Sequence, residues 1–562
     1  MSEPRKLTLV LLWHMHQPEF RDQVSGEFRH PWVYLHALKD YSDMAAHLEA
    51  HPGIRAVVNL VPVLLDQLED YAQQCASGQL RDLLLKALTL ENLDSLTRQE
   101  RGRLLDQCFR ANHTKMIEPF APFKRLRDLY EFTQAHDGEA ERYLSGQYFA
   151  DLVTWYNLVW TGETIRRAHE PVVRLMSHGE AFTHAQRMEL FHLIAATLQE
   201  TVARYRKLAE SGRVELSSTP HYHPIGPLLL DFACAREAMP DAPLPETQCY
   251  PGGRSRLGWH LSHAMDSHAR RFGAPPAGIW PAEGAVSMPF ARLLAQSGVR
   301  WIASGEGVLV NSLRKSNLPA AERNRYLYRP YRLDEGPACF FRDERLSDLI
   351  GFEYKGWHGA DAANHFIAQL EQILDAAPAD EEPVVSVILD GENAWEYYPY
   401  NAYYFLHDLY RALEAHPRIR TATYSDVLAR MGAAPVLPQV VTGSWVYGNL
   451  STWIGAPDKN RAWDLLAKVK HSYDLVTASG RLSAEDTEAA ARQLAVCEGS
   501  DWYWWFGDYN ARDSVAAFDR LFRDNLCRLY ELLKLTPPRD LDEPVSRGAV
   551  DAHTTGAMRR AA

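Results

Sequence analysis

The 562-residue sequence contains no apolar run long enough to cross a bilayer. Its start, Met1-Ser2-Glu3-Pro4-Arg5-Lys6, leads into an apolar stretch too short for a secretory signal. Basic charge is in deficit. Against 72 Asp+Glu stand 60 Lys+Arg, a net charge of −12, which argues against a general nucleic-acid binder or a coat for anionic membranes. Cysteine is sparse: seven residues, scattered, none in C-x-x-C spacing. That is the usage of a reduced, soluble, cytoplasmic protein. G-x-S-x-G is absent, as are G-x-x-x-x-G-K-[ST] and a G-x-G-x-x-G opening a helix after a strand. Serine-nucleophile acyl transfer and phosphate cradling therefore have no support.

Aromatics, by contrast, are plentiful: 15 Trp and 26 Tyr. Their flat faces can stack on ring-shaped ligands, and core packing also uses them. Short apolar runs alternate with helix-period stretches, the rhythm of an α/β protein with a mostly parallel sheet. Strands are predicted at Leu7–Trp13, Ile54–Leu60, Val214–Ser218, Ala277–Ala282, Val299–Ser304, Ala338–Phe341, Val384–Asp390 and Ile419–Thr423. Seven or eight such units suggest a barrel, with catalytic groups at the C-terminal ends of strands. Residues 79–170 read as inserted helices. Beyond about residue 435, helices are expected around 462–473, 484–496 and 515–535. This divides the chain into a barrel domain over 1–430 and an α-helical domain over 431–562. Residues 431–438 would be the linker, and the last dozen residues would be disordered.

Three strand ends carry candidate chemistry. Trp13-His14-Met15-His16-Gln17-Pro18 puts His14 and His16 on one side of a strand that Pro18 terminates. Such imidazoles could cap the strand or, with a distant carboxylate, hold zinc. Neutral imidazoles gripping hydroxyls need no metal; that reading is preferred, and no metal or cofactor is expected. Next, Trp280-Pro281-Ala282-Glu283-Gly284 ends a strand in a carboxylate flanked by small residues. The third, Val384 to Asp390 followed by Gly391-Glu392-Asn393-Ala394-Trp395, is a strand buried on both faces that ends in two acids on one side. Two carboxyls at a buried rim raise the proton affinity of one. His221, His223, Trp301, Glu306, Arg342 and Asp348 lie at other strand ends. Acids, imidazoles and indoles around a barrel mouth point to carbohydrate, and glycoside hydrolysis needs two carboxyl groups.

These segments, taken in order, resemble the conserved regions of glycoside hydrolase family 57: His14–Pro18, Glu215 through His223-Pro224, Trp280–Gly284, Leu389–Trp395, and Ser444-Trp445 through Trp453 to Asp464. Glu498–Trp505 is also similar to members, so the resemblance covers nearly the whole chain. The H-x-H-Q-P form is closer to the α-amylase and amylopullulanase-like branch than to branching enzymes. The resemblance implies an incomplete (β/α)7 barrel followed by an α-helical domain that completes the cleft. It implies retaining cleavage of α-glucosidic bonds in starch- or glycogen-type glucans or maltooligosaccharides, α-1,4 or α-1,6, without a catalytic metal. Glu283 matches the family nucleophile and Asp390 its general acid/base. His16, His223 and Trp280 match sugar-site positions, joined by Trp445, Trp453 and Trp463. His14, Glu392 and Trp395, in the same motifs, complete the expected substrate-binding set. Gly305 precedes Glu306 where related sequences often carry an acidic pair. Other readings are a 4-α-glucanotransferase or branching enzyme with the same catalytic pair, a metal-dependent mannosidase or deacetylase, and an inactive glucan-binding barrel.

Overall fold

The structure, a computed structural model, describes residues 5–136, Glu139, 142–432 and 434–549. The last dozen residues, expected to be disordered, lie outside the described residues. Ten strands are described: β1 (Leu7–Met15), β2 (Ala56–Leu60), β3 (Val214–Ser217), β4 (Gly278–Ile279), β5 (Trp301–Gly305), β6 (Tyr331–Leu333), β7 (Ala338–Arg342), β8 (Val384–Asp390), β9 (Ile419–Thr421) and β10 (Val436–Leu437). Every run expected to be a strand forms one. β6 and β10 were not foreseen, being too short to show a period.

Seven strands close a parallel ring in the order β1-β2-β3-β4-β5-β7-β8. Two seams are thin. β3 meets β4 through a bridge of Ser218 with Ile279, extended where Trp280 donates its backbone N–H to Ser218 O at 3.0 Å. β7 meets β8 at Arg342 and Ser386, where Asp343 N–H reaches Ser386 O at 2.8 Å. β9 pairs only with the first residues of β1, on the edge that β2 takes further along. The result is an incomplete (β/α)7 barrel with β9 as a stub. Within the stretch expected to be a linker, β10 pairs with β6.

Period-two alternation builds the barrel and then the site. Val10, Leu12, Val57, Ile388 and Phe340 belong to the apolar cluster inside the ring, with Trp280 and Trp301. Leu9, Leu11, Trp13, Val58 and Val387 belong to the larger cluster under the helices. Buried on both faces, such strands read as unbroken apolar runs. One step further along the inward register come His14 and His16 on β1 and beyond, Asn59 on β2, Asp390 on β8 and Arg342 on β7. The same parity that fills the core delivers polar groups to the rim.

The expected insertion is present as helices Leu83–Thr89, Arg98–Cys108, Ala121–His136, Gly146–Val159 and Glu163–Ala168. The C-terminal region folds as Pro457–Ala478, Ala484–Cys497 and Arg512–Leu532, close to the expected spans. No helix among the described residues is long and apolar enough to cross a membrane.

Candidate active site

A cavity of about 940 Å³ opens over the C-terminal ends of the strands. It is at the upper end of the size of small-ligand pockets, about 300–1,000 Å³. Its lining includes His14, His16, Glu283, Arg342, Asp390, Glu392 and Trp445.

Asp390 ends β8, where Asn393 donates to its Oδ2 at 2.9 Å. Burial pushes the Asp390 carboxyl up, opposed by the Asn393 bond and by the charges of His16 and Arg342. Arg342 is itself pinned, Nε to Ile388 O at 2.8 Å and Nη2 to Asp348 at 3.0 Å. Glu392 lies 3% exposed beside it. Gln17 donates to one Glu392 oxygen at 2.9 Å and the Tyr41 hydroxyl donates to the other. Burial drives the Glu392 carboxyl well above its ordinary value, and the Asp390 charge adds to the rise against the Tyr41 and Gln17 bonds.

Glu283 sits in a single 3₁₀ turn with φ +58°. A left-handed glutamate costs of order 1–3 kcal/mol, and such strain gathers at functional sites. The segment 443–445 holds it in place. Gly443 bridges Val286 in antiparallel fashion, the Trp445 backbone N–H donates to Glu283 O at 3.1 Å, and the Trp445 indole donates to Glu283 Oε2 at 3.0 Å. Gly305 explains the absent acidic side chain: a Cβ there would lie 2.6 Å from the Trp445 Cα. A side chain at that position would push Trp445 off Glu283.

The imidazoles form a stack. His14 and His223 ring centroids are 5.2 Å apart, those of His16 and His223 3.9 Å with planes 17° apart. His14 Nδ1 bonds Asn59 Oδ1 at 2.7 Å, and Asn59 in turn donates to Ser217. Burial and then the neighbouring His16 push His14 down to about 3, against the Asn59 bond. His223 is lowered by burial, His16 and His14. Both are neutral at neutral pH, so Nδ1 of His14 donates to Asn59 and its Nε2 is left as an acceptor. His223, at φ +58°, bonds Ser500 through Nδ1 at 2.8 Å, while His16 Nε2 bonds Asp501 at 2.8 Å. His16 Nδ1 and His223 Nε2 have no partner atom.

Ligand atoms of His16, His223 and Asp501 come within 4.8 Å of one another, the spacing of a metal triad. Imidazole lone pairs lie in the ring plane, however, and these two planes are nearly parallel. The lone pairs run side by side instead of meeting at one ion, as a tetrahedral zinc site requires. The geometry fits a hydrogen-bonded stack better than a chelate.

Ser500 and Asp501 come from the C-terminal region; both lie in the family-like stretch Glu498–Trp505, and neither is among the expected site residues. The residue before Gly499 anchors them. Fully buried Glu498 takes Arg256 at 2.8 Å, His260 at 2.8 Å and the Tyr250 hydroxyl at 2.6 Å, all from the segment leading into and forming helix Gly253–Phe272. Burial alone would raise Glu498; Arg256 and His260 outweigh it and hold the carboxyl at about 2.

The expected tryptophans divide. Trp445 lines the cavity, and Trp280 packs edge-on against it at 5.1 Å, 6.2 Å from the His14 ring. Trp395, Trp453 and Trp463 are sealed behind the wall. Trp395 bonds Gly391 O and meets Trp13 edge-on, and the Trp463 indole donates to Trp453 O while its ring stacks on Tyr503 at 4.3 Å. No face of these three lines the cavity. Trp32, Trp160, Trp504 and Trp505 line it instead, with Phe109 and Tyr130 from the inserted helices. Only long-range folding brings these rings together; Trp504 and Trp505 stand in the family-like stretch Glu498–Trp505, and no local motif marks the other four. Several supporting candidates lie elsewhere. Trp301 plugs the barrel floor and donates to Glu215 at 2.7 Å; His221 pairs with Asp66; Glu306 pairs with Arg323.

A seven-stranded barrel whose rim gathers carboxyls, neutral imidazoles and indoles defines a carbohydrate-active enzyme class. The sequence profile of glycosyl hydrolase family 57 matches residues 10–438, and the chain belongs to that family, a glycoside hydrolase-type enzyme. No curated protein matches it by sequence. Among solved structures it resembles the alpha-amylase AmyC from Thermotoga maritima, with 13% identity, 94% of this chain and 93% of that one covered, and a TM-score of 0.57. It is also similar to a GH57 branching enzyme from Thermococcus kodakaraensis, with 14% identity, 98% of both chains covered and a TM-score of 0.58. Third is a 4-alpha-glucanotransferase from Thermococcus litoralis, with 14% identity, 95% of this chain but 61% of that one covered, and a TM-score of 0.51. At these identities the likeness establishes the barrel fold.

Proposed function

We propose that the protein is a retaining glycosidase acting on α-glucans, with Glu283 as nucleophile and Asp390 as general acid/base. The carrying observation is the contrast between two carboxyls on one cavity. Asp390, half-buried at the end of β8, is raised by desolvation toward the protonated form, whereas Glu283 is held by the Trp445 indole N–H, which donates to its Oε2 at 3.0 Å. A carboxyl raised in this way suits the acid, and a carboxyl fixed by a donor suits the nucleophile. Protonated Asp390 gives its proton to the glycosidic oxygen as a Glu283 oxygen bonds the anomeric carbon and the C–O bond breaks. Asp390 then takes a proton from the acceptor hydroxyl, whose oxygen displaces Glu283. Neutral His14 and, beside it, His16 grip hydroxyls from the cavity wall, with the His223 ring stacked against both. The glucan-type substrates of the relatives with comparable folds support an α-glucan, and free cysteines throughout the described residues support a cytoplasmic setting. We place the boundary of the barrel domain near residue 430.

Water as acceptor makes the enzyme a hydrolase. Transfer to a second glucan is the other reading, favoured by the aromatic lining of Trp32, Trp160, Phe109 and Tyr130, which suits a sugar acceptor better than water. Incubation with maltooligosaccharides separates the two: only shorter products mean hydrolysis, and a ladder above the input means transfer. Glu283→Ala and Asp390→Ala should each lose at least about 10²–10⁴-fold in turnover. Near-normal turnover in both would refute the assignment.

A further inference from the structure

Outside the cavity, Tyr400 is 58% and Tyr404 46% exposed, although the two rings meet edge-on. Both follow the Asp390 strand closely in sequence, and Tyr397 of the same segment lines the cavity. Three consecutive non-glycine residues hold left-handed backbone here: Tyr400 at φ 53°, Asn401 at 50° and Ala402 at 60°. L-residues adopt this region only where the surroundings impose it.

The imposing group is Asp43, buried at 2% exposure. One of its oxygens accepts Asn401 Nδ2 at 2.8 Å and the Glu163 N–H at 2.8 Å; the other accepts the Thr164 N–H at 2.9 Å. A single carboxylate thus fixes both the left-handed turn and the start of helix Glu163–Ala168. That helix carries Arg167, whose guanidinium lies 4.3 Å from the Tyr403 ring, 5.1 Å from Tyr404 and 6.0 Å from Tyr400, and donates to the Tyr404 hydroxyl at 3.1 Å. Lys39, a cavity-lining residue, donates to Asn401 Oδ1 at 3.1 Å. Cavity wall and exposed rings are therefore joined through one side chain.

A buried carboxylate that holds exposed tyrosines in a strained turn points to a binding surface, and with ring centroids 5.5 Å apart and planes 85° apart Tyr400 and Tyr404 offer separate faces to successive units of a curved chain. Rings fixed in advance lose little freedom when a ligand stacks on them. We propose that Tyr400 and Tyr404, steadied by Arg167, form a surface subsite for an α-glucan chain continuing beyond the cavity. The rings stack on the apolar faces of the sugars and the Arg167 guanidinium donates to their hydroxyls. The subsite serves polymers and is out of reach of oligosaccharides short enough to lie within the cavity. The inference rests on the α-glucan reading above.

The test uses the full chain in an Asp390→Asn background, which keeps the ligand intact. Retardation in native gels containing amylopectin, and titration with maltotriose, give two affinities. In Tyr400→Ala/Tyr404→Ala the amylopectin affinity should fall about tenfold, while maltotriose binding shifts less than twofold. Tyr400→Phe/Tyr404→Phe, which keeps the rings, should retain amylopectin binding, and that result separates stacking from loss of the turn. Unchanged amylopectin affinity in the alanine variant, or an equal fall for maltotriose, overturns the subsite. If the parent binds neither glucan, the substrate reading itself fails and takes the subsite with it.

Discussion

His16 and Asp501 are hydrogen-bonded at 2.8 Å although 485 residues separate them in the chain. One follows the first barrel strand and the other opens a short helix of the C-terminal region, so the cavity is assembled only when both parts are folded. Asp501 directs one ring nitrogen of His16, and His16 in turn contributes to the electrostatics of Asp390. Asp501→Asn keeps the shape and removes the charge. A charge-assisted hydrogen bond contributes about 1.5–3 kcal/mol, so kcat/KM on a maltooligosaccharide should fall roughly 10–100-fold, at about 1.4 kcal/mol per decade. The melting temperature should stay within a few degrees of the parent. Wild-type kinetics in Asp501→Asn would show that the contact is only structural.

Trp445 is tied to Glu283 twice, by backbone and by indole. Trp445→Phe keeps the ring and deletes the N–H. Kinetics on the same substrate should show a loss of about one order of magnitude in kcat/KM, the worth of one net hydrogen bond at the upper end of about 0.5–1.5 kcal/mol. Melting should change little, because the backbone bond remains.

The alkaline limb of the activity profile should report Asp390, which must be protonated to act as the acid. Burial raises it and the Asn393 hydrogen bond lowers it, since a donor favours the carboxylate. Removing that donor in Asn393→Ala raises Asp390 further. The limb should therefore move to higher pH, as read from kcat/KM against pH. Movement to lower pH would mean that another group sets it.

Glu392 gives a prediction for stability. Its folded-state pKa lies well above its ordinary 4.5, chiefly through burial. Its contribution is thus fully present below about pH 4.5 and is lost as pH rises toward the folded value. Glu392→Gln is permanently neutral, its amide oxygen can still accept from Gln17, and it does not share the loss. The melting temperature of the variant minus that of the parent should be near constant below pH 4.5 and become more positive as pH rises above it. A flat difference across the range would show that Glu392 is not raised.

Much of the barrel was legible because strands buried on both faces leave continuous apolar runs, and Leu7–Met15 and Val384–Asp390 could hardly be anything else. Their endings were legible too. Period two carries the inward register from Val10 and Leu12 to His14, and from Ile388 to Asp390, with no knowledge of what lies across the ring. Trp395, Trp453 and Trp463 stand in the right motifs yet face the core, because a motif fixes a neighbourhood and not the direction of a ring.

By itself, then, the sequence determined the barrel, the rim positions of Glu283 and Asp390, and the helical character of the C-terminal region, since all of these follow from local period and strand-end chemistry. Tertiary structure decided the rest. It set Glu283 and His223 in left-handed backbone, brought Trp445 onto Glu283 and Asp501 onto His16, and chose Trp32, Trp160, Trp504 and Trp505 as the cavity's indoles. Each of these depends on a contact between residues far apart in the chain, and such contacts are settled by packing, not by local propensity.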